Sequence, residues 1–443
     1  MAKEKKIQDY DIKYSLLRHY VDFTLKLSYR NIRYVGREKI PQDGAVIYAP
    51  NHTNALMDAL IILAMDRKPK VFVARADIFR KPLFAKILHF LKIMPIMRLR
   101  DGFDEVKKNQ QTIEKAVDVL HDKVPFCIFP EGQHQAKYSS LPLSKGIFRI
   151  AFQAQELMPD MPLYIVPVGM RYGSFFRFRS TVRVEIGDPI NVGEFIASAP
   201  QHTPQEQMNM MKDLLTERMK SSILYIPNDE DYDATYEICA AVVKMQVRRL
   251  GLDNGTHHAL DAHFKANKHT VEEIVRLKEE DPALAAQLLS LGREAFELRR
   301  KDKISLASVS IKYPVLSRVL KTLFVLATLP YGIASLLLTL PIKAVCLYVF
   351  TLLKDSAFRN SIRYFLNLVL WPLLTIIYAI AAFATLPWMW ALLLTVLLPP
   401  MPVMAHEVWR LVRLAGSDIR LLANGHLRRK YQQIRDMILK LNT

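Results

Sequence analysis

Between Arg363 and Glu407 the chain carries no Asp, Glu, Lys or Arg. The hydrocarbon core of a bilayer, about 30 Å thick, is crossed by about 20 apolar helical residues, so this run is long enough for two crossings. A second uncharged run, residues 322–342, is long enough for one. These two runs exclude a purely soluble protein. The chain has 443 residues, more than the roughly 250–300 over which a single core keeps growing, so more than one structural unit is expected.

Lys plus Arg number 61 against 43 Asp plus Glu, a formal net charge of +18. That balance raises nucleic acid as a partner. The basic residues, however, are spread along the chain and repeatedly flank apolar segments, as do Arg318, Lys321, Lys354, Arg359, Arg363, Arg410 and Arg413. Such placement suits anionic lipid headgroups, where each cation contributes about 1 kcal/mol, so membrane lipids are the expected partner and nucleic acid is not. Cys127, Cys239 and Cys346 form no CxxC or Cys/His pattern, so neither a disulfide framework nor a zinc site is indicated. The opening Met-Ala-Lys-Glu-Lys-Lys leads into no short apolar segment, so no cleavable secretory signal is expected. Positive-inside reasoning puts residues 354–363 and the basic C-terminal stretch on the cytoplasmic side, together with the main polar part of the chain.

The pattern along the chain gives five segments. Residues 1–40 read as an N-terminal helical segment; within it 16–27 fits either a basic amphipathic helix in a membrane interface or a helix packed on the core. Over 41–225, β-rich runs at 45–49, 71–74, 126–129, 164–168 and 182–186 alternate with helical patterns, notably 103–123 and 146–157. This predicts an α/β fold, a mixed sheet with covering helices, in which chemistry collects on loops past strand ends. Residues 226–313 form a polar helical region, 314–405 membrane-embedded helices with a hairpin turning near Pro387, and 406–443 a basic helical tail. Residues 322–342 fit a re-entrant or bent segment as well as a single crossing.

Four sites along the α/β segment attract attention. Asn51-His52-Thr53-Asn54-Ala55-Leu56-Met57-Asp58 directly follows the first predicted strand. A carboxylate near a strand-end histidine can hold Nδ1–H and leave Nε2 to take a proton from a hydroxyl, though a loop hydrogen bond would use the same pair. Phe129-Pro130-Glu131-Gly132-Gln133-His134 follows the third run, and its Pro and Gly force a turn that presents Glu131 at a strand end; a helix-capping role is the alternative. Downstream, Lys145 and Gly146 open a helix where backbone N–H groups and the lysine could receive an anion, or the lysine is simply solvated. Arg98 and Arg100 precede Gly102 and could hold a phosphate by a bidentate fork, or lie on the surface. Finally, Ile165-Val166-Pro167-Val168-Gly169 reads as a core strand with an edge-strand proline.

Taken in order, these blocks resemble the glycerolipid acyltransferase family, which includes lysophosphatidate and glycerol-3-phosphate acyltransferases. His52 with Asp58 matches the family's catalytic His–Asp block, Arg98 the arginine of the second, Phe129-Pro130-Glu131-Gly132 the third, and Val166-Pro167-Val168 the fourth. Gly187-Asp188-Pro189-Ile190 resembles a sequence that often follows the fourth. The resemblance covers about residues 40–195. It implies an acyltransferase moving an acyl chain from acyl-CoA or acyl carrier protein to glycerol-3-phosphate or its 1-acyl derivative, with His52 as base, Asp58 as orienter, and Arg98, Glu131 and Gly132 at the acceptor, with Lys145 as a helper. It implies no metal or other cofactor. Two departures stand out: five residues rather than four separate His52 from Asp58, and the common Glu-Gly-Thr-Arg-Ser is Glu-Gly-Gln-His here. An acyl hydrolase and an inactive membrane scaffold are the competing readings.

Overall fold

The computed structural model describes residues 6–96, 103–253, 255, 258–309, 314–353, 355 and 357–441. The chain divides into two compact units. Met1–Ile223 and Leu353–Ile362 form the first, and Leu224–Leu352 and Arg363–Thr443 the second.

The first unit is built on eight strands: β1 (Tyr29–Val35), β2 (Ala45–Pro50), β3 (Val71–Arg75), β4 (Ile93–Ile96), β5 (Phe126–Cys127), β6 (Leu163–Tyr172), β7 (Ser180–Ile186) and β8 (Ile190–Asn191). They form one sheet in the order β1-β7-β6-β2-β5-β3-β4, with β8 beside β6. All pairs are parallel except β6 with β7 and with β8. The helices are α1 (Ile12–Ser28), α2 (Leu56–Leu63), α3 (Pro82–Phe90), α4 (Phe103–His121), α5 (Gly146–Leu157), α6 (Val192–Ser198) and α7 (Pro204–Ser222). The expected mixed sheet with covering helices is what the chain forms.

A parallel strand covered on both faces must be apolar throughout. β2, Ala-Val-Ile-Tyr-Ala-Pro, is buried at all six positions. Ile47, Phe126 and Ile165 from three adjacent strands meet Ile147 and Phe148 of α5 and Met211 and Leu215 of α7 in one core. Each such side chain contributes roughly 1.5–3 kcal/mol by leaving water.

Several details differ from the sequence reading, among them the short strands β4 and β8, which it did not give. Residues 29–35, grouped there with the N-terminal helical segment, form strand β1, paired with β7. Its arginines at 30 and 33 hide the strand pattern, and charged side chains are tolerated because β1 lies at the sheet edge. The third predicted strand is shorter than 126–129, ending at Cys127. Pro167 lies on an internal strand, not an edge. It falls between the β8 pairing at Tyr164 and Ile165 and the β7 pairing that begins at Val168, so its missing N–H interrupts neither ladder. Its carbonyl accepts the Gly187 N–H at 2.9 Å.

The second unit is helical. It comprises α8 (Tyr232–Arg249), α9 (Ala259–Glu280), α10 (Pro282–Lys301), α11 (Leu306–Val309), α12 (Pro314–Leu338), α13 (Leu340–Leu352), α14 (Phe358–Thr385, whose first turn belongs to the other unit), α15 (Trp388–Leu397), α16 (Met401–Ala423) and α17 (Gly425–Lys440). The amphipathic C-terminal helix is not a separate tail: Leu427, Tyr431, Ile434 and Ile438 share a core with Ile238, Ile274 and Leu288 of α8, α9 and α10. Inside that bundle the fully buried Glu237 carboxylate accepts Arg299 Nε at 2.8 Å and Tyr431 OH at 2.5 Å.

Val315–Leu338 and Phe358–Thr385 are long and apolar enough to cross a membrane. Trp388–Leu397 and Met401–Ala423, bent by 62° at their junction, would together make a third span. Pro387 caps the start of α15, at the turn expected there. α12 and α16 are joined by Lys321 Nζ, 2.5 Å from the buried Asp418 carboxylate.

Candidate active site

The sheet register brings two loops together. β2 and β5 run parallel with Tyr48 opposite Cys127, so the chain leaves both strands side by side. The first loop carries His52 and the second carries Glu131 and His134. β6 lies on the other side of β2 with Val168 opposite Pro50, and continues four residues further to Tyr172. Asn51 ties these neighbours together, donating through Nδ2 to Met170 O at 3.1 Å and accepting the Met170 N–H at 2.6 Å.

His52 Nδ1 lies 2.8 Å from Asp58 Oδ2. The same oxygen accepts the backbone N–H groups of Thr53 and Asn54 at 2.7 and 2.6 Å, and Asp58 Oδ1 accepts Tyr172 OH at 2.7 Å. Asp58 is fully buried while the His52 side chain is 18% exposed. Four donors on one buried carboxylate hold it aimed at Nδ1, which fixes the ring and its tautomer. Burial pushes the Tyr172 phenol well up, so it stays a donor. No described residue takes His52 Nε2. The extra residue between His52 and Asp58 is absorbed in the turn before α2, where Ala55 adopts φ +47°, a backbone L-residues rarely take. Asp58 then lies in the first turn of α2.

The imidazole of His52 stacks on Phe129, with centroids 4.2 Å apart. His134 stands edge-on to it at 5.4 Å. Glu131 is 6% exposed. Its carboxylate accepts the His52 N–H at 3.2 Å and the Leu141 N–H at 3.4 Å, joining the two loops to the segment that leads into α5. Burial pushes its carboxyl up to about 8, against the pull of those two N–H groups. Gly132 holds φ +61° with open space where a Cβ would stand. Lys145 is exposed at the N-cap of α5, beside the same turn, since Ser144 N donates to Pro130 O at 2.7 Å. Arg98 and Arg100 lie outside the described residues.

The structure thus brings together His52, Asp58, Glu131, Gly132 and His134. Tyr172, Asn51 and Phe129 also belong to this constellation; the sequence reading quoted Asn51 and Phe129 in its blocks without giving them a role, and did not name Tyr172. Tyr172 could have been found only from the β2–β6 register, which no local pattern encodes.

A strand-end His–Asp pair on a mixed sheet defines a class that has parallels among known proteins. The family model described as Acyltransferase matches residues 31–171. Glycerol-3-phosphate O-acyltransferase 2 of Saccharomyces cerevisiae is 30% identical over 152 residues, 34% of this chain and 20% of that protein. Glycerol-3-phosphate O-acyltransferase 1 of the same yeast is 38% identical over 88 residues, 20% of this chain and 12% of that protein. The matched stretches therefore span a fifth or less of these curated relatives. Among solved structures, the 1-acyl-sn-glycerophosphate (LPA) acyltransferase of Thermotoga maritima aligns with 47% of this chain and 83% of its own, at 21% identity and a TM-score of 0.33. Residues 31–171 of this chain are thus similar to the acyltransferases that the Acyltransferase model describes.

Proposed function

We propose that this protein transfers an acyl group from a thioester, acyl-CoA or acyl carrier protein, to a hydroxyl of a glycerol-phosphate acceptor. The observation that carries this reading is the His52–Asp58 pair, its carboxylate saturated by four donors and its Nε2 without a partner among the described residues. In the reaction the acceptor oxygen attacks the thioester carbonyl while its proton passes to His52 Nε2. The ester C–O bond forms, the C–S bond breaks, and His52 returns the proton to the departing thiolate. A thioester is already activated, so no covalent acyl-enzyme is required, and no Ser or Cys nucleophile accompanies His52 in its loop. Such a base accounts for about 10²- to 10⁴-fold in rate.

Arg98 would take the acceptor phosphate through a bidentate fork, with Glu131 and Gly132 shaping the pocket beneath it and Lys145 adding charge at the start of α5. The names of the yeast relatives favour glycerol-3-phosphate as the acceptor, with lysophosphatidate as the second candidate. The product is a lipid, which suits apolar helices that anchor the chain as a multi-pass membrane protein with its sheet domain on the cytoplasmic face.

The test uses membranes holding wild-type protein or His52→Ala, given labelled acyl-CoA and then acylated carrier protein, with each acceptor offered separately. Labelled product from wild type, reduced about 10²- to 10⁴-fold in His52→Ala, is the expected outcome. Full activity in the variant would overturn the mechanism, and free fatty acid without acylated acceptor would make the protein a hydrolase.

A further inference from the structure

We infer that Asp355 is a positioning residue of this site, acting through His134, and that Asp355, Phe358 and Asn360 form part of the site's wall. His134 and Asp355 are 221 positions apart in sequence, yet both belong to the first compact unit. His134 Nε2 lies 2.8 Å from Asp355 Oδ2. The other carboxylate oxygen, Oδ1, accepts the Ala357 N–H at 2.8 Å, which fixes the carboxylate just before α14 begins. That N–H, with His134, holds the Asp355 carboxyl below the usual range.

The segment reaches the His52–Asp58 pair from both ends. On one side runs a row of rings: Phe129 on His52 at 4.2 Å, His52 to His134 at 5.4 Å, and His134 to Phe358 at 5.2 Å. On the other, the buried Asn360 Nδ2 lies 3.5 Å from Tyr29 OH. Tyr29 packs against Tyr172 with centroids 6.1 Å apart, and Tyr172 donates to Asp58. An imidazole held by a carboxylate at one nitrogen has one ring orientation. Asp355 therefore sets how His134 faces the space next to His52, where the acceptor of the proposed reaction has to bind. His134 also occupies the place of an arginine in the family's common third block, so a separately anchored histidine stands there instead.

The kinetic part of this inference rests on the acyl-transfer reading, so the experiment has one arm that needs no substrate. Full-length protein in detergent is treated with diethyl pyrocarbonate, and carbethoxylation of individual histidines is followed by peptide mass spectrometry. Asp355→Ala is expected to speed modification of His134 about tenfold, the scale of one charge-assisted hydrogen bond lost, and Asp355→Asn, which keeps an acceptor, to fall between. An unchanged His134 rate in Asp355→Ala overturns the pair. In the second arm, Asp355→Ala raises the acceptor KM about three- to tenfold and leaves the donor KM unchanged, and combining it with His134→Ala does no more than His134→Ala alone. Additive effects, or a donor KM that rises equally, overturn the positioning role. Exposure of His134 in a protein that acylates neither acceptor supports the pair and overturns the acyl-transfer reading instead.

Discussion

Asp58 and Glu131 are both buried carboxylates beside the same histidine, and they differ in what surrounds them. Asp58 gathers four donors and orients His52; Glu131 gathers two weaker backbone bonds and sits near a pKa of about 8. Because that value lies above the ordinary 4.5, the folded state holds the proton more tightly than the unfolded one. Glu131 then contributes stability that is fully present below about pH 4.5 and is lost as pH rises through about 8. Wild-type protein in detergent is expected to lose more thermal stability between pH 5 and pH 8.5 than Glu131→Gln, which cannot titrate. Parallel melting curves for the two proteins would rule this out. Much of this site was legible at the residue scale: His52 and Asp58 lie six positions apart just past one strand, and Glu131 is presented by the turn that Pro130 and Gly132 make. Tyr172 and Asp355 were not, because their places depend on a strand register and on chain returning from more than two hundred residues away.

At the scale of elements, the buried strands read clearly because parallel pairing demands unbroken apolar runs; β2, β3 and β6 fall where the alternating pattern put them. β1 and β4 were missed for opposite reasons, the first charged at a sheet edge and the second four residues long with a proline inside. Position 169 shows how tightly β6 is covered. A Cβ there would stand 2.0 Å from the carbonyl oxygen of Ser222, at the end of α7. Gly169→Ala must therefore push α7 away from the sheet, with an expected loss of about 1–3 kcal/mol of the kind overpacking produces. Thermal unfolding of the variant measures it, and an unchanged midpoint would mean the contact relaxes freely.

For the whole molecule, the apolar runs announced helices long and apolar enough to cross a membrane, but not how the polar helices between and after them assemble. α17 looked like an independent basic tail, since its hydrophobic positions reveal a face without naming the partner, and that partner is the α8–α10 bundle. The Lys321–Asp418 pair ties α12 to α16 in the same unit, with Asp418 only 1% exposed. Lys321→Ala leaves that carboxylate buried and unpaired, and is expected to cost about 3–5 kcal/mol, read as lower detergent stability. A double variant with Asp418→Ala should recover part of the loss. The first unit, meanwhile, is not one continuous stretch of chain. It closes with ten residues, Leu353–Ile362, that the polypeptide supplies only after laying down the six helices α8 to α13. During synthesis the sheet domain must therefore wait, short of one wall, until those helices have left the ribosome. A gene fragment that swaps the sheet domain alone between relatives would carry the His–Asp pair without its far-side contact.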